Sequence, residues 1–143
     1  MSGGRPNLRA SDPLASALLT EQERRVVSRL LASLREELGD DLLAVWLYGS
    51  RARGEADLEE TDPDRKSDVD LMVIVDPSRG WTGLGSNIFA LIGEAADAEG
   101  DSPVWYSPVV WDSEWLRNRR EIRSFFVQEV DRDKIVLHGS ALE

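Results

Sequence analysis

The chain has 143 residues, 41% of them hydrophobic, the size of one domain with enough apolar material for a core, and it holds no cysteine, which excludes disulfides, thiolate nucleophiles and cysteine-based zinc sites. Its 27 acidic and 17 basic residues give a formal net charge of -10. That balance opposes sequence-independent binding of a long nucleic acid, yet it suits a small anion that arrives with divalent cations. No run approaches the roughly 20 consecutive apolar residues of a membrane-spanning helix, and residues 1–12 lack the apolar core of a signal peptide. The expectation is a cytoplasmic protein that meets no membrane.

Residues 1–19, punctuated by Pro6 and Pro13 and without a sustained period, read as a flexible N-terminal arm, ending as early as Leu14, ahead of a single domain over residues 20–143. Thr20 is placed as a helix N-cap, with Glu21 and Glu23 in the first turn. Val26, Val27, Leu30, Leu31 and Leu34 follow at helical spacing, and Gly39 stops the helix. The run LLAVWLY, residues 42–48, is too short and too continuously apolar for a helix and predicts a central strand buried on both faces. Gly49 and Ser50 end it, and residues 51–56 are expected to open a short helix.

The charged, proline-interrupted stretch from Glu55 to Lys66 predicts a solvated loop. DVDLMVIV, residues 68–75, then predicts a second strand, ended by Asp76, Pro77 and Gly80. Ile88, Leu91, Ile92 and Ala95 mark a second main helix. A third strand is expected over residues 104–111, one helix over 113–130, and a short last strand over 134–138. Helices alternating with strands predict an α/β sandwich of undetermined strand order.

The chemistry concentrates where two of these strands meet. Successive side chains on a strand point to opposite faces, so Asp68 and Asp70 share a face, with Cα atoms about 6.6 Å apart. Two carboxylates at the edge of an apolar strand repel one another and lose solvation unless a cation sits between them. Hard oxygen ligands of this kind suit Mg2+, which completes its shell with waters and phosphate oxygens. Gly49 permits close backbone approach, Ser50 opens the next helix at its anion-binding end, and Arg51 and Arg53 are candidates for charge-assisted phosphate contacts.

LYGSRARG followed by SDVDLMVIV resembles the signature of the DNA polymerase β-type nucleotidyltransferases, above all their minimal, antitoxin-like group. The resemblance covers residues 42–75 closely and the rest by element order. It implies a nucleotidyltransferase fold, a small mixed β-sheet flanked by helices. It also implies that Gly49 and Ser50 hold a nucleoside triphosphate while Asp68 and Asp70 bind one or two magnesium ions. The implied reaction moves a nucleoside monophosphate to an acceptor hydroxyl, on a protein, RNA or small molecule, and releases pyrophosphate.

Two features depart from the family pattern. Residues 51–67 make a longer link between the Gly-Ser pair and the paired acids, an insertion that a surface loop tolerates. More consequentially, active members carry a third carboxylate on the following strand, where this chain has Ser107 in VWYSPVVWD. Asp112 is the candidate to supply that oxygen, with an N-cap for the helix at Ser113 as the competing reading. The absent acid opens an alternative in which the chain is a weakly active or inactive binding module that pairs with a helical partner protein, or a scaffold with a vestigial site.

Several other residues have plainer readings. Trp81, in a glycine-containing loop, either covers a nucleotide base or marks a turn, while Trp46, Trp105, Trp111 and Trp115 read as core or half-buried positions. Arg117, Arg119, Arg120 and Arg123 form the one basic cluster, and are read as a face paired with Glu114 and Glu121, or else as a seat for an acceptor's phosphates. His138 carries no catalytic role.

Overall fold

The computed structural model describes residues 14, 17–55, 58–60, 62, 66–79 and 84–143. Trp81 and half of the acidic loop lie outside the described residues, as do residues 1–13 of the expected arm.

The first helix, α1 (Glu21–Leu38), begins where its capping residues place it. The Thr20 hydroxyl accepts from the Glu23 N–H, and Glu23 accepts from the Thr20 N–H, so two otherwise orphaned donors are satisfied reciprocally. Gly39, at φ +53°, ends it. The segment ahead of α1 is packed: Leu14, Ala17 and Leu19 are buried, and the Arg24 guanidinium donates to the carbonyls of all three. These apolar side chains, from the end of the segment read as an arm, complete one side of the core.

A four-stranded mixed sheet runs in the order β3-β2-β1-β4, from β1 (Leu42–Tyr48), β2 (Val69–Val75), β3 (Tyr106–Asp112) and β4 (Ile135–Gly139). Strand β1 is antiparallel to both β2 and β4, and β2 is parallel to β3. The short helix α2 (Ser50–Arg53) follows β1, α3 (Leu84–Ala98) connects β2 to β3, and α4 (Ser113–Glu121) and α5 (Phe125–Asp133) precede β4. The third strand starts two residues later than expected. Pro103–Trp105 first form a 3-10 turn, capped by the Ser102 hydroxyl.

The strand period of two explains why β1 and β2 look continuously apolar. Val45, Leu47, Leu71 and Val73 pack against α1 and α3 on one face, whereas Ala44, Trp46, Met72 and Ile74 pack against Leu116 of α4 and Val127 and Val130 of α5 on the other. Each central strand is thus sandwiched. Among the described residues, no helix is long and apolar enough to cross a membrane.

The single helix expected over residues 113–130 is two. Arg123 sits at φ +55°, and the N–H groups of Arg123 and Ser124 bond back to the carbonyls of Arg120 and Arg119, a helix-ending turn built without glycine. The break lets both α4 and α5 lay apolar side chains on the same sheet face. Within the basic cluster, Arg120 bonds to Asp131 of α5 rather than to Glu114 or Glu121, and also donates to the carbonyls of Ala141 and Leu142.

Asp112 caps α4, its Oδ1 accepting from the Trp115 N–H at 2.7 Å. Asp112→Ala is expected to cost about 1 kcal/mol in urea unfolding, the usual worth of such a cap, and to leave ligand binding at the site described below untouched.

Candidate functional site

The strand directions bring the C-terminal end of β1 and the N-terminal ends of β2 and β3 to one edge of the sheet. The register pairs Tyr48 with Asp70, and Asp70 with Ser107, so the three stand in a row across adjacent strands. By strand parity they lie on the face covered by α4 and α5, the face of Trp46, Met72 and Val109. Asp68, exposed and one residue ahead of β2, accepts a hydrogen bond from the Ser107 hydroxyl at 3.0 Å.

Gly49 joins β1 to α2 at φ +76°, and a Cβ there would lie 2.4 Å from Asp70 Oδ2. The turn's backbone and the carboxylate are therefore in direct contact, closer than any other residue type permits. Ser50 begins α2 beside it. Burial, reinforced by the charge of Asp68, pushes the Asp70 carboxyl up to about 6 against the pull of Arg53 and Arg51. Burial and the Asp70 charge together push the Tyr48 hydroxyl up to about 12, which keeps it a proton donor at neutral pH.

These shifts fix the sign of a prediction. Asp70 holds its proton more tightly folded than unfolded, so in metal-free protein its ionisation weakens the fold progressively as pH rises from about 4 to about 6. Asp70→Asn, uncharged at every pH, is expected to raise the melting temperature at pH 7 in the presence of a chelator and to leave it nearly unchanged at pH 4. A lower melting temperature at pH 7 would show that Asp70 serves the fold instead.

Arg51 does not face this site, contrary to the sequence-based expectation. Its side chain is 2% exposed, and its two terminal nitrogens reach Glu23 Oε1 and Oε2 at 2.6 and 2.9 Å. It also donates to the carbonyls of Leu18 at 3.2 Å and Ser67 at 3.0 Å. A buried carboxylate has claimed the guanidinium, so no phosphate can use it.

Asp112 is the second correction. It pairs with Val75 while Ser107 pairs with Asp70, which puts it five strand positions, about 16 Å, from the paired acids. Its carboxylate serves the α4 cap. The position beside Asp70 is held by Ser107, and among the described residues no group of three or more His, Cys, Asp or Glu side chains is placed to hold a metal.

Arg53 stays at the site's margin. It pairs with Glu55 at 2.7 Å and approaches Asp133 at 3.7 Å, with its side chain 35% exposed. With Tyr48, Gly49, Phe126, Glu129 and Val130 it lines a cleft of about 180 Å³. The Phe126 ring stands edge-on to Tyr48, centroids 5.7 Å apart. The structure thus gathers Gly49, Ser50, Asp68, Asp70 and Arg53 and sets Arg51 and Asp112 aside. Sequence reasoning missed Tyr48, Phe126 and Glu129. Tyr48 was open to recognition, since it shares strand parity with Trp46 and immediately precedes Gly49.

No protein-family model matches the chain, and no curated protein does. Among solved structures, one described as a putative nucleotidyltransferase from Sulfolobus solfataricus is similar, at 18% identity over 80% of each chain with a TM-score of 0.36.

Proposed function

We propose that the chain is a cytoplasmic nucleotidyltransferase: it binds a magnesium nucleoside triphosphate and transfers the nucleoside monophosphate to an acceptor hydroxyl, releasing pyrophosphate. The observation that carries this reading is the contact between the Gly49 backbone and the Asp70 carboxylate, with Asp68 on the same side. A helix-opening turn that favours phosphate and a pair of acids that favours a divalent cation meet at one point.

The residues fit magnesium. Two neighbouring carboxylates, one with its proton affinity raised by burial and by the other's charge, are relieved by a divalent cation, while waters and phosphate oxygens complete the shell. When bound, the ion neutralises triphosphate charge and orients the chain of phosphates. The backbone of Gly49 and Ser50 cradles phosphate oxygens, and Arg53 exchanges its exposed partner Glu55 for phosphate charge at small cost. In the reaction the acceptor oxygen bonds to the α-phosphorus, the bond to the β-phosphate oxygen breaks, and pyrophosphate leaves. The acceptor's proton passes to solvent, because Ser107 stands where a third carboxylate would receive it.

Nucleotide binding is therefore expected to require magnesium and to be lost on adding a chelator. Asp68→Asn is expected to weaken it about tenfold, as loss of one charged ligand to a weakly held ion does. Equilibrium titration with each of the four triphosphates, followed by incubation of the tightest with cell extract, checks binding and transfer in turn. Equal affinity with and without magnesium would refute the proposal.

Ser107 also favours a second reading, in which nucleotide is bound but transferred slowly and the chain acts by pairing with a helical partner protein. Ile122 and Phe125, 59% and 75% exposed at the α4–α5 corner, offer apolar surface for such a partner. Tight association with a partner, without pyrophosphate release on any acceptor, would select it.

A further inference from the structure

The cleft between β1 and α5 has a chemistry of its own. At about 180 Å³ it is smaller than the roughly 300–1,000 Å³ of pockets that enclose a whole drug-sized ligand, so it holds a single ring system rather than a complete nucleotide. Its apolar surface is aromatic: Phe126, 41% exposed, presents a ring beside that of Tyr48. Exposed aromatic rings of this kind are stacking platforms for planar heterocycles. The cleft also reaches Gly49, the residue in contact with Asp70, so an occupant there is continuous with the phosphates of the function proposed above.

The polar group that α5 adds to this cleft is Glu129. Among the described residues its ion pair is a long one, 3.9 Å to Arg132, whose guanidinium is already held by Asp133, and both the Glu129 and Arg132 side chains are well exposed, so the pair is surrendered at little cost when a ligand enters. An ionised carboxylate only accepts hydrogen bonds. Among the four bases, guanine alone offers two adjacent N–H donors on one edge, from N1 and the 2-amino group. Adenine and cytosine set a ring-nitrogen acceptor beside their amino group, and uracil flanks its one N–H with two carbonyls; each places an acceptor against the carboxylate. Paired donors on a carboxylate make the stronger, charge-assisted, bidentate arrangement.

We propose that this cleft is a base-recognition pocket in which the exposed Phe126 ring stacks on the base, the perpendicular Tyr48 ring bounds it and Glu129 selects guanine, so that the preferred donor is a guanine nucleotide. The proposal rests on the nucleotide-binding reading and names its substrate.

The test is titration of the full chain, in magnesium, with GTP, ATP, CTP, UTP and inosine triphosphate, which differs from GTP only in lacking the 2-amino group. GTP is expected to bind about tenfold or more tightly than each of the others, the discrimination a good bidentate base contact supplies. Glu129→Gln is expected to abolish the GTP preference, and Phe126→Ala to weaken all five by a similar factor. Circular dichroism confirms that both variants, at exposed or half-exposed positions, remain folded. If the nucleotides bind with equal affinity, or if Glu129→Gln keeps the GTP preference, base selection by Glu129 is wrong while the nucleotide-binding reading stands. If no nucleotide binds at all, both fall.

Discussion

Gly49→Ala is expected to weaken magnesium-dependent nucleotide binding by about 100-fold, equivalent to about 2.7 kcal/mol, while the protein stays folded. Two effects converge there. The φ of +76° with ψ -159°, a conformation essentially confined to glycine, costs a residue with a Cβ about 1–3 kcal/mol, a loss the fold survives. The new methyl would also lie 2.4 Å from Asp70 Oδ2 and 3.3 Å from its Cγ, distances that demand movement. Asp70 sits between β1 and β3, so its backbone is fixed from both sides and the side chain must swing away from Asp68, or the turn must lift off the sheet. Either movement separates the acids from the proposed phosphate cradle.

Gly39→Ala supplies the control. Gly39 also has a positive φ, +53°, but nothing lies within 4 Å of its would-be Cβ. It is expected to lose stability to a similar extent and keep nucleotide affinity. Isothermal titration of the two variants side by side, with thermal melts, separates strain from steric disruption of the site. Wild-type affinity in Gly49→Ala would mean that the contact with Asp70 has no part in binding.

The same contrast shows which features of the site are legible in sequence. Gly49, Ser50, Asp68 and Asp70 are recognisable because their positions follow from strand parity and strand ends, both local properties. The capping box at Thr20 and Glu23 is likewise local. Arg51 is different: its identity suggests phosphate, and only the tertiary packing of α1 against α2 reveals that Glu23, 28 positions earlier, holds it. The break between α4 and α5 carries no glycine or proline to announce it, and so Phe126 and Glu129 could not be placed at the cleft in advance. Asp112 was an ambiguity of two local readings, and the parallel register of β3 against β2 decides it for the cap.

Arg51→Met is expected to destabilise the protein by about 3–5 kcal/mol, since it leaves Glu23 as an uncompensated buried charge. That is a large share of the roughly 5–15 kcal/mol by which a domain is stable. Removing both charges, in Arg51→Met with Glu23→Gln, is expected to recover most of the loss, because the desolvation cost of the pair goes with it. Acid sensitivity separates the variants further. Burial alone raises the Glu23 carboxyl, but its bonds to Arg51 and to the Thr20 N–H outweigh that and hold it below the ordinary value of 4.5. Its contribution is therefore complete above about pH 4.5 and is lost as pH falls through the lower folded-state value, a dependence the double variant should lack. Urea unfolding across pH 3–7 measures both effects, and equal stability of Arg51→Met and wild type would sink the argument. The consequence reaches the site, because the carbonyl that Arg51 holds is that of Ser67, the residue preceding Asp68, while Arg51 itself follows Ser50. One buried guanidinium thus fixes the Gly49–Ser50 turn, proposed to hold phosphate, and the first acid relative to each other, and the double variant, refolded but without that clamp, is expected to bind magnesium nucleotide more weakly than wild type.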